Sequence, residues 1–419
     1  MKKNGFTLVE ITVCVVLLVT IFLLVVPKVN TMINNKKKNA YNSLISTVKD
    51  AAQAYVYLNV NIVDDAIESQ GYYEVSIRTL QENELLENKL ENPLTGKNIP
   101  STSIVKIIKN NEEYIYKFSL DYQYLLEHII DLYSSEETRI SNGLKKDNTE
   151  DQNIRYYGSN PNNYVSFNNE LWRIIGVFGN NVKLVRSESL GDLSWDSSEE
   201  SINGGFGVNE WSQADLQVYL NKMYYGGDTT VTCYGGTKNS TKTCPTNRLD
   251  NTAKTLIDNH TWNTGAIEYN TRTDTVAFYK DERGNQTGKI CNGGTFCSDT
   301  VERTTTWTGY IGLPYPTDYA YASGENICET NMVKQDSSDA YICENNNWMF
   351  KSIWYWTLSP FARSANSRYV WYVNGDGDVN NSNAASGGAV FPAIYLKSNV
   401  LIESGAGTSS NPYILKAGS

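Results

Sequence analysis

Glu10 stands five residues after Gly5, at the head of a run that is otherwise apolar as far as Val26. A carboxylate sunk in hydrocarbon costs roughly 2.5–3.5 kcal/mol on insertion scales, so it needs a cationic partner or a purpose. Six cysteines form a second group with chemistry, as Cys233/Cys244, Cys291/Cys297 and Cys328/Cys343, each pair inside a polar stretch. Short local disulfides in an oxidising compartment are one reading. A zinc site is the rival, weakened because no C-x2-C or neighbouring histidine completes a tetrahedral set. Cys14, alone in the apolar run, reads as a small hydrophobe.

Acid–base chemistry has few candidates. The chain holds two histidines, His128 and His260, and no G-x-S-x-G nucleophile elbow, so nothing singles out a catalytic set and the reading is not an enzyme. Asn374-Gly375-Asp376-Gly377-Asp378 is rich in oxygen ligands but lacks the closing glutamate of an EF-hand loop. A Gly-rich turn is therefore expected there, no cofactor is expected, and calcium is only weakly supported. Trp354, Trp356 and Trp371, with Tyr372, could stack on sugar rings if exposed, although aromatics alternating along short strands are more often core.

The totals narrow the partners. With 46 acidic against 36 basic residues the net charge is −10, and the residues from 154 onward carry 26 acidic and 20 basic side chains. No basic half is hidden, which disfavours nucleic acid. Composition breaks sharply: all nine tryptophans lie at or after Trp172, and 26 of 30 glycines lie after residue 153. A helical and small αβ part is expected first, then an aromatic strand-and-loop domain.

Phe6 to Val26 is 21 residues with one charge, long enough for a transmembrane helix. No small-residue cleavage site follows it; the small residue, Gly5, precedes it. The stretch K-K-N-G-F-T-L-V-E at 2–10 resembles the leader of type IV pilins and pseudopilins. That resemblance implies cleavage after Gly5 by a prepilin peptidase, methylation of the new terminus at Phe6, and assembly through Glu10, which pairs with the Phe6 amine of an adjoining copy. Pro27 matches the family's helix-bending proline. Lysines flank the run on both sides, so the N-in, C-out orientation follows from the leader and the paired cysteines rather than from the positive-inside rule.

Beyond Pro27 the apolar positions Val29, Ile33, Ala40, Leu44, Val48, Ala51, Ala52, Tyr55 and Val56 keep helical spacing. A helix from Phe6 to about Leu58 would be roughly 80 Å long. Residues 72–118 resemble a short pilin body, with SIVKIIK and EYIYKF as strands joined at Asn110-Asn111. After an amphipathic segment and linker, the stretch from ELWRIIGV through WTLSP, WYVNGDGDV and AVFPAIYLKS resembles a bacterial surface module of C-type-lectin-like or formylglycine-generating-enzyme-like fold. One departure is Phe391, in Ala389-Val390-Phe391-Pro392, where that module carries arginine.

The expected fold class is thus α+β: a long N-terminal transmembrane helix packed on a small pilin-like αβ body, then a disulfide-stapled β-rich lectin-like domain. The expected divisions are leader 1–5, helix 6–60 with 6–26 transmembrane, body 61–120, helical segment and linker 121–153, and surface domain 154–419. The resemblance implies a minor pilin-like subunit displaying a recognition or adhesion domain. Its partners would be prepilin peptidase, other pilin subunits, the membrane, and a glycan or cell-surface ligand. Its location would be single-pass in the cell membrane with the C-terminal domain extracellular, and in a pilus or pseudopilus after assembly. A pseudopilin of a secretion or DNA-uptake system, and a non-polymerising anchored surface lectin, remain alternatives.

Overall fold

The computed structural model describes residues 36–37, 39–93, 96, 98–99, 101, 103–110, 113–119, 123–268, 274–284, 304–333, 343–362 and 367–417. The chain divides into two compact units, one ending at Gln123 and one running from Tyr124 to Ser419.

In the first unit, a helix over residues 39–58 buries Val48, Ala51, Ala52, Tyr55 and Val56. Those positions repeat at three and four residues, so they form one stripe. The stripe shares a core with Val75, Ile77, Leu80, Val105 and Ile107. Val75 lies on the strand Tyr73–Ser76, which pairs antiparallel with Ile104–Asn110. That strand pairs in turn with Glu113–Ser119, with Asn110 opposite Glu113 at the hairpin end. Alternation does the sorting: Val105 and Ile107 face the helix, while Lys106 and Ile108 on the other face are only half-buried. A second helix, Val60–Gln70, is tied to the hairpin through Asp64, which accepts from Lys109 Nζ at 3.1 Å and Tyr114 Oη at 2.7 Å.

The expected fold class is corrected here. The protein is α+β with mostly strand, and among the described residues no helix is long and apolar enough to cross a membrane. The helices that could have served carry charge at short intervals: Lys49 and Asp50 in one, Asp64, Asp65 and Glu68 in the other. The single-pass membrane location is corrected on the same finding. The stretch 6–26 itself, with Gly5, Phe6, Glu10 and Pro27, lies outside the described residues.

In the second unit, one sheet runs in the order Ile311–Gly312, Ala393–Leu396, Asn181–Arg186, Glu170–Phe178, Tyr164–Phe167, Tyr413–Ala417, Val400–Ser404. The strand Ile154–Tyr156 also pairs with Glu170–Phe178, where a register shift lies between Ile174 and Gly176. Gly176 is required there, because a Cβ would stand 2.1 Å from the Ile154 carbonyl oxygen. The other sheet runs Asp192–Ser194, Gly387–Ala389, Tyr355–Ala362, Tyr369–Val373, Val379–Asn383, with Ile267–Glu268 parallel to Tyr355–Ala362.

A single apolar core draws on both sheets and on the helix Leu125–Ser134 through Leu125, Leu126 and Ile129. In the segment expected as helix and linker, the helix supplies core, and Asp147 and Asn153 beyond it are buried. Trp172, Trp195, Trp211, Trp262, Trp356 and Trp371 are fully buried, which explains why a glycine-rich, turn-rich sequence still closes a large interior.

Candidate functional site

Two of the three cysteine pairings are present, Cys233–Cys244 and Cys328–Cys343. Those four cysteines are bonded to one another, so none is a zinc ligand. Cys291 and Cys297 lie outside the described residues.

The tryptophans singled out for sugar stacking do not form a platform. Trp356 and Trp371 are fully buried, and their indole N–H groups donate to the Leu193 carbonyl at 2.9 Å and the Ile267 carbonyl at 3.2 Å. Both rings are spent on the core. Trp354 is half-buried and meets Trp356 and Tyr372 edge-on. The oxygen-rich stretch at 374–378 is the turn between Tyr369–Val373 and Val379–Asn383: Asn374 Nδ2 donates to Asp378 Oδ1 at 3.0 Å, and the Gly377 N–H donates to the Asn374 carbonyl at 3.1 Å. Gly377 takes a φ of +92°, which favours glycine. Among the described residues no group of three or more His, Cys, Asp or Glu side chains could hold a metal.

Both histidines have structural partners. His128 Nε2 is 2.8 Å from Tyr413 Oη, and burial lowers its pKa to about 4. His260 stacks on Tyr395 at 3.7 Å and lies 3.2 Å from Asp258. Burial lowers its pKa as well, although Asp258 pulls the other way.

Charged groups that the sequence reading passed over are arranged in two places. The first is inside the core. Arg155 donates from Nε to Asp147 Oδ2 at 2.9 Å and from Nη1 to Asp318 Oδ1 at 2.6 Å. Lys183 Nζ donates to Asp318 Oδ2 at 2.5 Å. Burial alone would raise the Asp318 pKa, but Lys183 and Arg155 outweigh it and hold it low. Burial lowers Lys183 to about 8 against the pull of Asp318. Nearby, Glu282 is fully buried, accepts from Thr317 Oγ1 at 3.0 and 2.9 Å, and is raised to about 7 by burial. A network whose charged side chains are all buried fixes strands against helices.

The second place is a small pocket of about 10 Å³, room for about one water molecule. Arg173 enters it from the strand Glu170–Phe178, Arg186 from the end of Asn181–Arg186, and Lys351 from the loop before Tyr355–Ala362. Trp348, Tyr355 and Phe391 wall it. Arg186 is neutralised by Glu170, with Nε–Oε2 at 2.9 Å and Nη2–Oε1 at 3.2 Å. Arg173 is not: Nε donates to Asn163 Oδ1 at 2.7 Å and Nη2 to the Pro161 carbonyl at 3.3 Å, and its guanidinium lies over the Tyr164 and Trp348 rings. Burial lowers its pKa to about 10. The signal in the sequence was a cation inside an apolar strand run, in E-L-W-R-I-I-G-V-F, where solvent cannot be what it meets.

No family model, curated protein or solved structure matches this chain. The functional reading therefore rests on its own residues.

Proposed function

We propose that the chain is a minor type IV pilin-like subunit that presents a recognition domain. A prepilin peptidase cuts after Gly5 and methylates Phe6. Glu10 of one copy then meets the new Phe6 amine of its neighbour among other pilin subunits. The observation that carries the reading is the leader K-K-N-G-F-T-L-V-E at 2–10, in the same chain as an amphipathic helix at 39–58 laid on a three-stranded antiparallel sheet. A carboxylate left single in an apolar run is costly, whereas one matched by an amine is tolerated and fixes register.

Recognition rather than catalysis is the task of the larger unit. Both histidines are tied to aromatic partners. A domain of this bulk fits a tip or low-copy position better than a shaft in which every subunit must pack alike.

The test is Glu10→Ala. The variant should still be cut after Gly5 but should be lost from sheared filaments. Recovery in filaments at the wild-type level rejects the reading.

A further inference from the structure

We propose that Lys183 and Asp318 join in an intramolecular amide bond, a covalent cross-link between the strand Asn181–Arg186 and the helix Pro316–Ala322. The two side chains meet at 2.5 Å across 135 residues of sequence, and neither is exposed to solvent. Distance alone would not single them out, since Lys145 and Glu329 stand equally close. Those two side chains are 21% and 17% exposed, so water can solvate both charges. Lys183 is enclosed by rings instead. Its Nζ lies 4.1 Å from the centre of the Tyr315 ring and 5.3 Å from those of Trp262 and Tyr395, and all three residues are buried.

The surrounding charges favour condensation. Arg155 has a second carboxylate in Asp147 at 2.9 Å, and Arg283 has Glu282 at 3.0 Å. Once Lys183 and Asp318 become a neutral amide, each remaining cation of the group keeps a carboxylate. Two buried charges disappear and none is left single, whereas the ion pair keeps both out of water.

The step balances within the pair. A proton crosses from Nζ to Oδ2, leaving a neutral amine beside a carboxyl group. Burial assists by lowering the Lys183 pKa to about 8. Lys183 and Arg155 hold Asp318 ionised at rest, so this transfer is the uphill part. Nζ then bonds to Cγ, and Oδ2 takes a second proton from Nζ and departs as water. A C–N bond replaces the Cγ–Oδ2 bond, and no further reactant is needed. Arg155 Nη1 donates to Oδ1 at 2.6 Å, the atom on which negative charge builds during the attack.

The experiment is an intact-mass measurement of the full chain, purified folded and then reduced and denatured, with Lys183→Met alongside. Most of the wild type should be lighter by one water than the mass expected for its chain. Trypsin should release one branched peptide joining residues 174–186 to residues 304–334. Lys183→Met should show its full expected mass and no branched peptide. If that variant fails to fold, the wild type decides, because fragmentation of the branched peptide places the bond at Lys183 Nζ and Asp318 Cγ. A wild type of full mass with two linear peptides overturns the proposal. So does a water loss that persists in Lys183→Met or maps to another position. None of these outcomes bears on cleavage at Gly5.

Discussion

Lys183 and Asp318 meet at 2.5 Å with neither side chain exposed to solvent. Asp318 also receives Arg155, so a single carboxylate holds two cations from different strands beneath the helix Pro316–Ala322. The arrangement ranks the cost of substitutions. Asp318→Ala leaves Lys183 unmatched and Arg155 with Asp147 alone, and should destabilise by about 3–5 kcal/mol. Lys183→Met leaves Asp318 with Arg155 and the Tyr315 N–H, and should cost distinctly less. Urea midpoints at equal slope give the order; the reverse order would show that the lysine is the keystone.

Glu282 sets a pH dependence. Its folded pKa is raised to about 7 by burial, above the ordinary 4.5. Between those values the folded state holds the proton that the unfolded chain has released. The group's stabilising contribution is therefore full below about pH 4.5 and is lost as pH rises toward 7. Glu282→Gln mimics the protonated form, so its stability relative to wild type should climb through that window, by on the order of 3 kcal/mol at most. Denaturation of the two proteins at pH 4.5 and 7.5 measures it. His128 and His260 titrate with the opposite sign, which is why the difference between variants is read and not the wild-type curve alone.

The disulfides Cys233–Cys244 and Cys328–Cys343 close loops of 11 and 15 residues. On the chain-entropy account each stabilises by about 3 kcal/mol. Paired Cys→Ala replacement should lower the melting temperature in either case. The Cys328–Cys343 pair should matter at least as much, because both its cysteines lie in the core, whereas Cys244 only borders it.

Trp356→Ala should behave as a core truncation, costing about 3–5 kcal/mol. It should alter ligand binding no more than other substitutions of equal cost. Trp354, half-buried beside it, should tolerate alanine better. Equal losses from the two would place Trp354 in the core as well.

Periodicity made the small unit legible. The stripe Val48, Ala51, Ala52, Tyr55, Val56 and the alternation in Ile104–Asn110 both announce a helix on a sheet. The turn at 374–378 was readable from Gly377, since glycine is favoured at φ +92°. Local disulfide pairing followed from spacing in the two pairs described.

The charged core was not readable. Asp147, Arg155, Lys183 and Asp318 are spread over more than 170 residues, and a lone charge in a strand gives no hint of the carboxylate that folding brings to it. The pocket was hidden for the same reason, because Arg173 and Lys351 meet only through tertiary structure. Trp356 and Trp371 could have stacked on sugars only if exposed; they take the core role more usual for aromatics alternating along short strands, and both faces of Tyr355–Ala362 are covered.

The central claim is proteolytic: the chain matures at the Gly5–Phe6 bond, freeing an amine for Glu10 to meet. Intact-mass and N-terminal peptide analysis of the protein taken from its native cells tests it directly. The account requires a polypeptide that lacks the first five residues and begins at N-methylated Phe6. A mature protein that still begins at Met1 with Gly5 joined to Phe6 contradicts it.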